Sequence, residues 1–227
     1  MSDVTGDHGI LSPIKGVLQS AALGLLEAAA ATRVPDIDAD AWTARELGAA
    51  LAAEDAHGLS VDEAGALTLY TMDGELYAEL NRRLRARDRS VIKPFFPYLR
   101  LMLQARSKLP RYQGIVWRGV AGVDLRAHFT RGQEIFWWAF SSCTKEVSTL
   151  TRNPLFFGMA GVRTQFLIEV LAGVDIVRYS IFQDEASEAE VLLYPGTKFL
   201  VVDCTELSSE LFQVHLREVP VPVHLIS

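Results

Sequence analysis

Two glutamates, Glu188 and Glu190, stand two positions apart at the start of a short apolar run. In an extended strand this spacing directs both carboxylates to one face. Their mutual repulsion raises the pKa of one of them, which suits a pair that both holds a sugar hydroxyl and accepts a proton. Asp184 and Glu185 lie close by, so two solvated carboxylates on an acidic loop are the alternative.

Arg118 ends a predicted strand at residues 115–118 and is followed by Gly119. A guanidinium donates two parallel hydrogen bonds to phosphate oxygens, which an ammonium cannot match. A glycine lets a ligand approach the backbone closely. The pair therefore indicates a phosphate site, and a surface ion pair is the alternative reading of Arg118.

Small hydroxyl and thiol side chains follow the apolar run at residues 136–140, namely Ser141, Ser142, Cys143 and Thr144. Where a strand stops, such groups can hydrogen-bond a sugar or a catalytic acid. Serine and threonine are equally favoured at turns and helix N-caps, and that reading stays open.

The elements that must position these groups change in character at Pro110. After it, β-branched and aromatic runs bounded by Gly, Pro or Ser are typical of strands. The predicted strands cover residues 115–118, 134–140, 165–170, 190–193, 198–202 and 212–219.

Before Pro110, apolar residues recur at spacings of three and four, which predicts about five helices. Ser60 with Glu63 forms a capping-box pattern at one helix start. Asp40, placed before residues 42–53, predicts another start.

The fold class that follows is α+β. We expect a helical N-terminal lobe over residues 1–110 and a β-rich, mostly antiparallel core over residues 111–227, together forming one catalytic domain. Pockets favour the junction of two such parts, so the chemistry is expected there.

Composition excludes several functions. The net charge is −6 and the basic residues are scattered, which argues against nucleic acid as a partner. Two cysteines and five dispersed histidines predict neither a disulfide framework nor a metal site. No run reaches the ~20 apolar residues of a membrane span, and no signal peptide is apparent. We expect a cytoplasmic protein, or an effector delivered without a classical signal peptide.

Arg, then Ser, then Glu-x-Glu, in that chain order, resembles the arginine-specific mono-ADP-ribosyltransferases of the Arg-Ser-Glu class. The matching segments are residues 112–120 (YQGIVWRGV), 137–144 (WWAFSSCT) and 187–199 (SEAEVLLYPGTKF). The resemblance implies two small packed sheets that clamp NAD in a cleft without a metal. It also implies transfer of ADP-ribose from NAD to an arginine of an acceptor protein.

The resemblance further implies a role for each site residue. Arg118 would grip the NAD diphosphate or the adjoining ribose, and Gly119 would offer its backbone to the nicotinamide carboxamide. Ser142 would orient the catalytic acid and the nicotinamide ribose. Glu190 would hold a ribose hydroxyl and stabilise the cationic sugar that forms as nicotinamide leaves. Glu188 would position the acceptor guanidinium and take its proton, because a guanidinium stays charged at neutral pH.

Phe156 and Phe157 could supply an aromatic wall for nicotinamide, since the family has an aromatic residue in a comparable loop, although core packing is the commoner role for such residues. Two further interpretations of the whole chain stay open. An NAD glycohydrolase would use water as the acceptor at the same site. A catalytically silent module would only bind NAD or a protein, as the replacement of the family's Ser-Thr-Ser motif by Ser142, Cys143 and Thr144 would allow.

Overall fold

A computed structural model describes residues 9–152, 157–181, 189–221 and 225–227. The chain divides into two compact units. In the described part, the helical unit contains residues 11–110, 176–181 and 225–227, and the sheet unit contains residues 9–10, 111–175 and 189–221.

The helical unit is built from five α-helices and two 3-10 helices in its described residues. The α-helices are α1 (Leu25–Thr32), α2 (Ile37–Ala53), α3 (Val61–Thr71), α4 (Glu75–Leu84) and α5 (Phe96–Lys108), with 3-10 helices at Arg89–Phe95 and Val177–Tyr179. The helical character predicted for this half is therefore confirmed. Among the described residues, none of the helices combines the length and the hydropathy needed to cross a membrane.

The capping box predicted at the start of α3 is present. The Ser60 hydroxyl accepts a hydrogen bond from the Glu63 amide at 3.2 Å, and the Glu63 carboxylate accepts one from the Ser60 amide at 2.7 Å. These two bonds satisfy amide groups that a helix start otherwise leaves without partners.

The helix start predicted at Asp40 is wrong by four residues, because the N-cap of α2 is Asp36, the helix begins at Ile37 and Asp40 lies in its first turn. Ile37 is buried together with Ala41 and Ala44, so the apolar face of the helix extends back to Ile37. Burial of that face, rather than the acidic side chain, decides where α2 starts.

Helices α2 and α3 approach each other closely at two glycines. A Cβ atom on Gly48 would lie 2.6 Å from the Val61 carbonyl oxygen and the Gly65 amide nitrogen. Only a residue without a side chain permits this backbone contact. The sequence indicates this contact by placing glycines within helical patterns, because glycine is otherwise unfavourable inside a helix.

The sheet unit contains seven strands and one short helix in its described residues. They are β1 (Arg111–Ala121), β2 (Glu134–Trp137), β3 (Ser141–Thr144), α6 (Val147–Arg152), β4 (Arg163–Asp175), β5 (Glu190–Leu193), β6 (Thr197–Ser208) and β7 (Leu211–Glu218), with a 3-10 turn at Arg126–His128.

The strands are linked in the order β1-β3-β5-β4-β7-β6-β2, with a further pairing between β1 and β4. Five strands form one portion, in the order β1-β4-β7-β6-β2, and β3 with β5 forms a smaller portion joined to β1 and to the end of β4. All these pairings are antiparallel except that of β4 with β7. The predicted α+β class with a mostly antiparallel core is confirmed.

The core of the sheet unit lies on one face of the long strands. Phe166 and Ile168 of β4 are fully buried, whereas Leu167 between them is partly exposed, as the two-residue period of a strand requires. Trp137 contacts Phe166 and Phe199 edge-to-face, with ring centroids 5.6 and 5.0 Å apart. Burying each such aromatic contributes about 1.5–3 kcal/mol, so this cluster anchors the strands that carry the site.

Strand β5 has the predicted bounds, but the strand predicted at residues 134–140 is too long. Strand β2 ends at Trp137, and a new strand, β3, begins at Ser141. The Trp137 carbonyl accepts a hydrogen bond from Gly196, and the Trp138 indole donates to the Gly9 carbonyl. The chain therefore leaves the β2 ladder while remaining buried, which an apolar run in the sequence does not reveal.

Candidate active site

Arg118 lies inside a strand rather than at its end. Strand β1 continues to Ala121, and Arg118 is paired with Phe166 of β4. The predicted strand end at Arg118 is therefore wrong, because the ladder with β4 continues through Gly119, which is paired with Gln165. The half-buried guanidinium donates a hydrogen bond from Nη1 to the Ser142 carbonyl oxygen at 2.9 Å, which fixes Arg118 to strand β3.

Gly119 makes room for an aromatic ring. A Cβ atom at this position would lie 2.6 Å from Cβ and 2.8 Å from Cγ and Cδ2 of Phe157. Phe157 is 4% exposed, and the Arg163 guanidinium lies 5.4 Å from its ring centroid. The structure therefore brings together Gly119 and Phe157, which are two of the predicted site residues, and the missing side chain of the glycine makes room for the ring.

Ser142 lies in the middle of β3, so the residues Ser141–Thr144 form a strand and do not follow one. Thr144 ends this strand in a turn. Its hydroxyl accepts a hydrogen bond from the Glu146 amide at 3.0 Å and donates one to the Glu146 carbonyl at 3.3 Å. Thr144 thus has the turn role that its residue type favours. Ser142 lies two residues earlier, so the side chains of Ser142 and Thr144 are on the same face of β3.

Glu190 is the first residue of β5 and is only 9% exposed. It is paired with Thr144 of β3, which is paired in turn with Trp117 of β1. Directly paired residues lie on the same face of a sheet. Trp117, Thr144 and Glu190 therefore form one row across three strands, and Ser142 lies on the same face of β3 two residues from Thr144.

The Cys143 thiol lies close to two charged site residues. Burial raises its pKa to about 12, the Arg118 guanidinium acts to lower it, and the Glu190 carboxylate acts to raise it further. Cys143 is 4% exposed and belongs to the core of the sheet unit. Cys143, which follows Ser142 in β3, is therefore near enough to Arg118 and Glu190 to be affected by both charges, and a thiol with this pKa stays protonated at neutral pH.

Glu188 and Phe156, also named from the sequence, lie outside the described residues. The described chain resumes at Ala189, whose carbonyl accepts a hydrogen bond from the Lys145 amide at 2.9 Å. This bond continues the β3–β5 ladder by one residue ahead of Glu190.

Two residues of this region were not found from the sequence. Trp117 shares the row of Thr144 and Glu190, and its signal is its place directly before Arg118. Gln165 is 9% exposed, lies opposite Gly119, and donates a hydrogen bond to the Gln213 side chain at 2.9 Å. Its signal is a polar residue inside an apolar strand run, because such a group is buried only when it is hydrogen-bonded.

Acidic, histidine and cysteine side chains nowhere gather in threes at metal-binding distance within the described ranges. His215, for example, contacts the Glu169 carboxylate through Nε2 at 2.7 Å. That carboxylate also accepts from Arg217, and these contacts, led by the Arg217 hydrogen bond and opposed by burial, hold the Glu169 pKa below its usual range.

Solved structures of ADP-ribosyltransferases share this fold. Vis from Vibrio splendidus, in complex with agmatine, is 19% identical, with 92% of each chain covered and a TM-score of 0.59. HopU1 of Pseudomonas syringae is 20% identical, with 75% of this chain and 82% of that one covered and a TM-score of 0.60. The eukaryotic mono-ADP-ribosyltransferase ART2.2 is 16% identical, with 95% and 94% covered and a TM-score of 0.70.

A search of the curated proteins found no sequence match. The family model for NAD:arginine ADP-ribosyltransferases, in contrast, matches residues 36–220, which is most of the chain. This range contains every residue of the site described above. The chain therefore belongs to the NAD:arginine ADP-ribosyltransferase family and is an enzyme that takes ADP-ribose from NAD.

Proposed function

We propose that the gathered residues of the sheet unit bind NAD and break its nicotinamide bond, and that the ADP-ribose passes to an arginine of an acceptor protein. In this reaction the bond between the ribose C1 and the nicotinamide nitrogen breaks. Neutral nicotinamide leaves with the electron pair, and the ribose becomes an oxocarbenium-like cation. The cation then bonds to a guanidinium nitrogen, which releases a proton.

Glu190 is the residue that we assign to stabilising the cation. The observation that carries this assignment is the placement of a nearly buried carboxylate on a rigid strand start, in one row with Thr144 and Trp117. A fixed charge away from water stabilises a developing cation more strongly than a solvated one. Ser142, on the same face of the neighbouring strand, is assigned to orienting this acid and the ribose.

Arg118 is assigned to the NAD diphosphate. Its half-buried guanidinium is fixed by the hydrogen bond to the Ser142 carbonyl, which leaves a directed cation next to the strand that carries Ser142. A fixed guanidinium loses less freedom on binding a phosphate than a mobile one. Gly119 and Phe157 are assigned to the nicotinamide end, because Gly119 directly follows Arg118 and packs closely against the Phe157 ring.

We assign a guanidinium group as the acceptor from the chemistry of the reaction and from one solved structure with a similar fold. Vis has been solved with agmatine, a compound that carries a guanidinium group. An acceptor guanidinium is cationic at neutral pH, so it needs a carboxylate both to attract it and to take its proton. We assign this role to Glu188, because in an extended chain it would share the face of Glu190.

Delivery as an effector is part of the proposal. HopU1 and the type III effector XopAI from Xanthomonas axonopodis both share the fold, the latter with a TM-score of 0.64. The acceptor would then be a protein of the recipient cell.

Replacement of Glu190 by glutamine tests the site. Glu190→Gln keeps the size and one acceptor oxygen but removes the charge, so nicotinamide release from NAD should fall about 100-fold or more. Glu63→Gln is the matched control, because Glu63 is also a nearly buried carboxylate, and glutamine can replace it in the capping box. Glu63→Gln should release nicotinamide at the wild-type rate. Full activity of Glu190→Gln with unchanged folding would overturn the assignment.

A further inference from the structure

Residues 157–162 are the described part of the connection from α6 to β4 in the sheet unit. This segment begins with the buried Phe157, assigned above to the nicotinamide end, and it is followed by Arg163, the first residue of β4. The carbonyl of Val162, its last residue, accepts a hydrogen bond from the Gly122 amide at 2.7 Å. The end of the segment next to β4 is therefore fixed to the backbone just after β1.

The side chain of Arg163 connects the two ends of this segment. Its guanidinium donates a hydrogen bond from Nη1 to the Gly161 carbonyl at 2.8 Å and lies 5.4 Å from the centroid of the Phe157 ring. A guanidinium within about 6 Å of a ring centroid is attracted by the electrons of the ring. One planar cation therefore contacts both the first residue of the segment and a residue near its end.

The pleat of the sheet explains why Arg163 and Phe157 meet. Arg163 and Gln165 are two residues apart in β4, so their side chains lie on the same face. Gln165 is paired with Gly119 of β1, so this is also the face on which Phe157 fills the space left by the missing side chain of Gly119. Arg163, Phe157 and Gly119 therefore lie together on one face of the sheet.

Burial alone does not favour an arginine at position 163. The Nε atom of Arg163 is buried and has no hydrogen-bond partner among the described residues. A buried N–H group without an acceptor destabilises the folded protein, and native proteins rarely contain one. A methionine would cover the ring without leaving such a donor. The presence of arginine therefore needs a reason other than packing.

We propose that Arg163 is a positioning residue that holds Phe157 against β1 and thereby sets the affinity of the site for nicotinamide. This inference rests on the proposed function, in which Phe157 lies at the nicotinamide end. The described side-chain contacts of Arg163 are with Phe157 and Gly161, so its effect on NAD passes through the ring. Without Arg163 the ring gains freedom, and binding of nicotinamide must then order it again, which lowers affinity.

The expected effect is specific to nicotinamide. Loss of a contact made equally in the ground state and the transition state raises the KM for NAD and leaves kcat unchanged. ADP-ribose lacks nicotinamide and should bind as before, because Arg118 is held by its own hydrogen bond to the Ser142 carbonyl. Charge alone predicts the opposite sign, because the nicotinamide ring of NAD is cationic and removal of a nearby cation would favour its binding.

Arg163→Met is the primary variant, because methionine keeps a long apolar side chain and removes the cation and its donors. We expect the KM for NAD in nicotinamide release and the inhibition constant for nicotinamide each to rise about tenfold. The kcat and the inhibition constant for ADP-ribose should stay within about twofold of the wild type. A lower KM for NAD would show that Arg163 acts by charge and would overturn the positioning role.

Arg126→Met is the matched control in the same unit. The Arg126 guanidinium also lies over a phenylalanine ring, 4.0 Å from the centroid of Phe212, and it donates hydrogen bonds to Asp124 and Glu206. None of these contacts involves Phe157. This variant loses the same kind of ring contact and two ion pairs besides, so its stability should fall at least as far. Both inhibition constants should nevertheless keep their wild-type values.

Phe157→Leu tests whether Arg163 acts through the ring. Leucine keeps a buried apolar side chain but has no aromatic face, so the inhibition constant for nicotinamide should rise about tenfold here as well. In this background Arg163→Met should add no more than about twofold, because the two residues act as one unit. Effects of the two changes that multiply would overturn the positioning role.

Arg163→Lys keeps the inference testable if Arg163→Met folds poorly. Lysine retains the charge, but its single ammonium lacks the planar fork that contacts the ring and the Gly161 carbonyl together. We expect the inhibition constant for nicotinamide to rise about threefold, with that for ADP-ribose unchanged. An unchanged constant for nicotinamide, or an equal rise for both ligands, would overturn the positioning role.

The possible outcomes separate this inference from the proposed function. A wild-type protein that releases no nicotinamide overturns the proposed function and, with it, this inference. If nicotinamide is released but Phe157→Leu keeps the wild-type inhibition constants, the assignment of Phe157 and this inference are overturned together. If only Arg163→Met keeps them, the positioning role alone is overturned. An equal loss of affinity for nicotinamide and ADP-ribose in Arg163→Met would show a purely structural role and would also overturn it.

Discussion

Replacing Gly119 by alanine tests whether the contact with Phe157 shapes the site. Gly119 lies inside β1 without a positive φ, so its backbone accepts alanine, and in a strand that change alone should stabilise by about 0.5–1 kcal/mol. The new methyl group, however, would lie 2.6 Å from Cβ and 2.8 Å from Cγ and Cδ2 of Phe157. Unstrained carbon atoms are about 3.5–4.0 Å apart. The overlap is thus about 1 Å at three atoms.

The overlap involves the atoms of Phe157 nearest its backbone, so rotation of the ring cannot relieve it. Phe157 is 4% exposed and has little space to move. We therefore expect overpacking to destabilise Gly119→Ala by about 1–3 kcal/mol in urea unfolding, opposite in sign to the backbone effect. The KM for NAD should rise as well, because the ring and the strand must separate at the nicotinamide end of the proposed site.

The same change in a Phe157→Gly background provides the control. Phe157→Gly removes all three clashing atoms, including Cβ, which alanine would retain. In that background the added methyl should cost nothing, so the double-mutant cycle should show about 1–3 kcal/mol of coupling. Equal effects in both backgrounds, or a Gly119→Ala protein with the wild-type urea midpoint, would refute the reasoning.

Three other predictions follow from the described charges and from the acceptor role. Glu188→Gln should lose agmatine transfer yet keep NAD hydrolysis, and equal loss of both would place Glu188 at the sugar instead. Cys143, whose pKa burial raises to about 12, should react with a thiol reagent at pH 8 only after unfolding, and rapid labelling of Cys143 in the native protein, identified by peptide mass and distinguished from the partly exposed Cys204, would contradict its burial. The Glu79 pKa is lowered to about 2, mainly by the hydrogen bond from Arg82, so its contribution to stability is complete above its unfolded pKa of 4.5 and is lost as pH falls toward 2. Acid titration of stability in Glu79→Gln should be shallower over that range, and an identical slope would exclude the contribution.

Much of the local structure could be predicted because its causes are local. The Ser60 and Glu63 capping box depends on two side chains three residues apart, and both hydrogen bonds are present. Strand β5 has the predicted bounds at Glu190–Leu193, because an apolar run flanked by polar residues and a turn specifies it. Arg118, Ser142 and Glu190 were predicted to act together because their types and their order along the chain resemble a family pattern, which is visible in the sequence.

The predicted strand bounds were wrong where contacts with residues far away in the sequence determine the ends of the strands. The strand was predicted to end at Arg118, but the ladder with β4 carries β1 onward to Ala121, and the missing side chain of Gly119 makes room for Phe157. The apolar run after Glu134 suggested one strand, but hydrogen bonds to Gly196 and Gly9 separate β2 from β3. Neither partner is visible from the local sequence, because both are contributed by parts of the chain far away.

The central claim is that the enzyme moves ADP-ribose from NAD to a guanidinium group. The most direct test is mass spectrometry of agmatine after incubation with NAD and the purified protein, with released nicotinamide measured in the same sample. The account predicts an agmatine adduct carrying one ADP-ribose for each nicotinamide released beyond slow hydrolysis. Nicotinamide release without any adduct would contradict the guanidinium acceptor, and the absence of both products would contradict the proposed site.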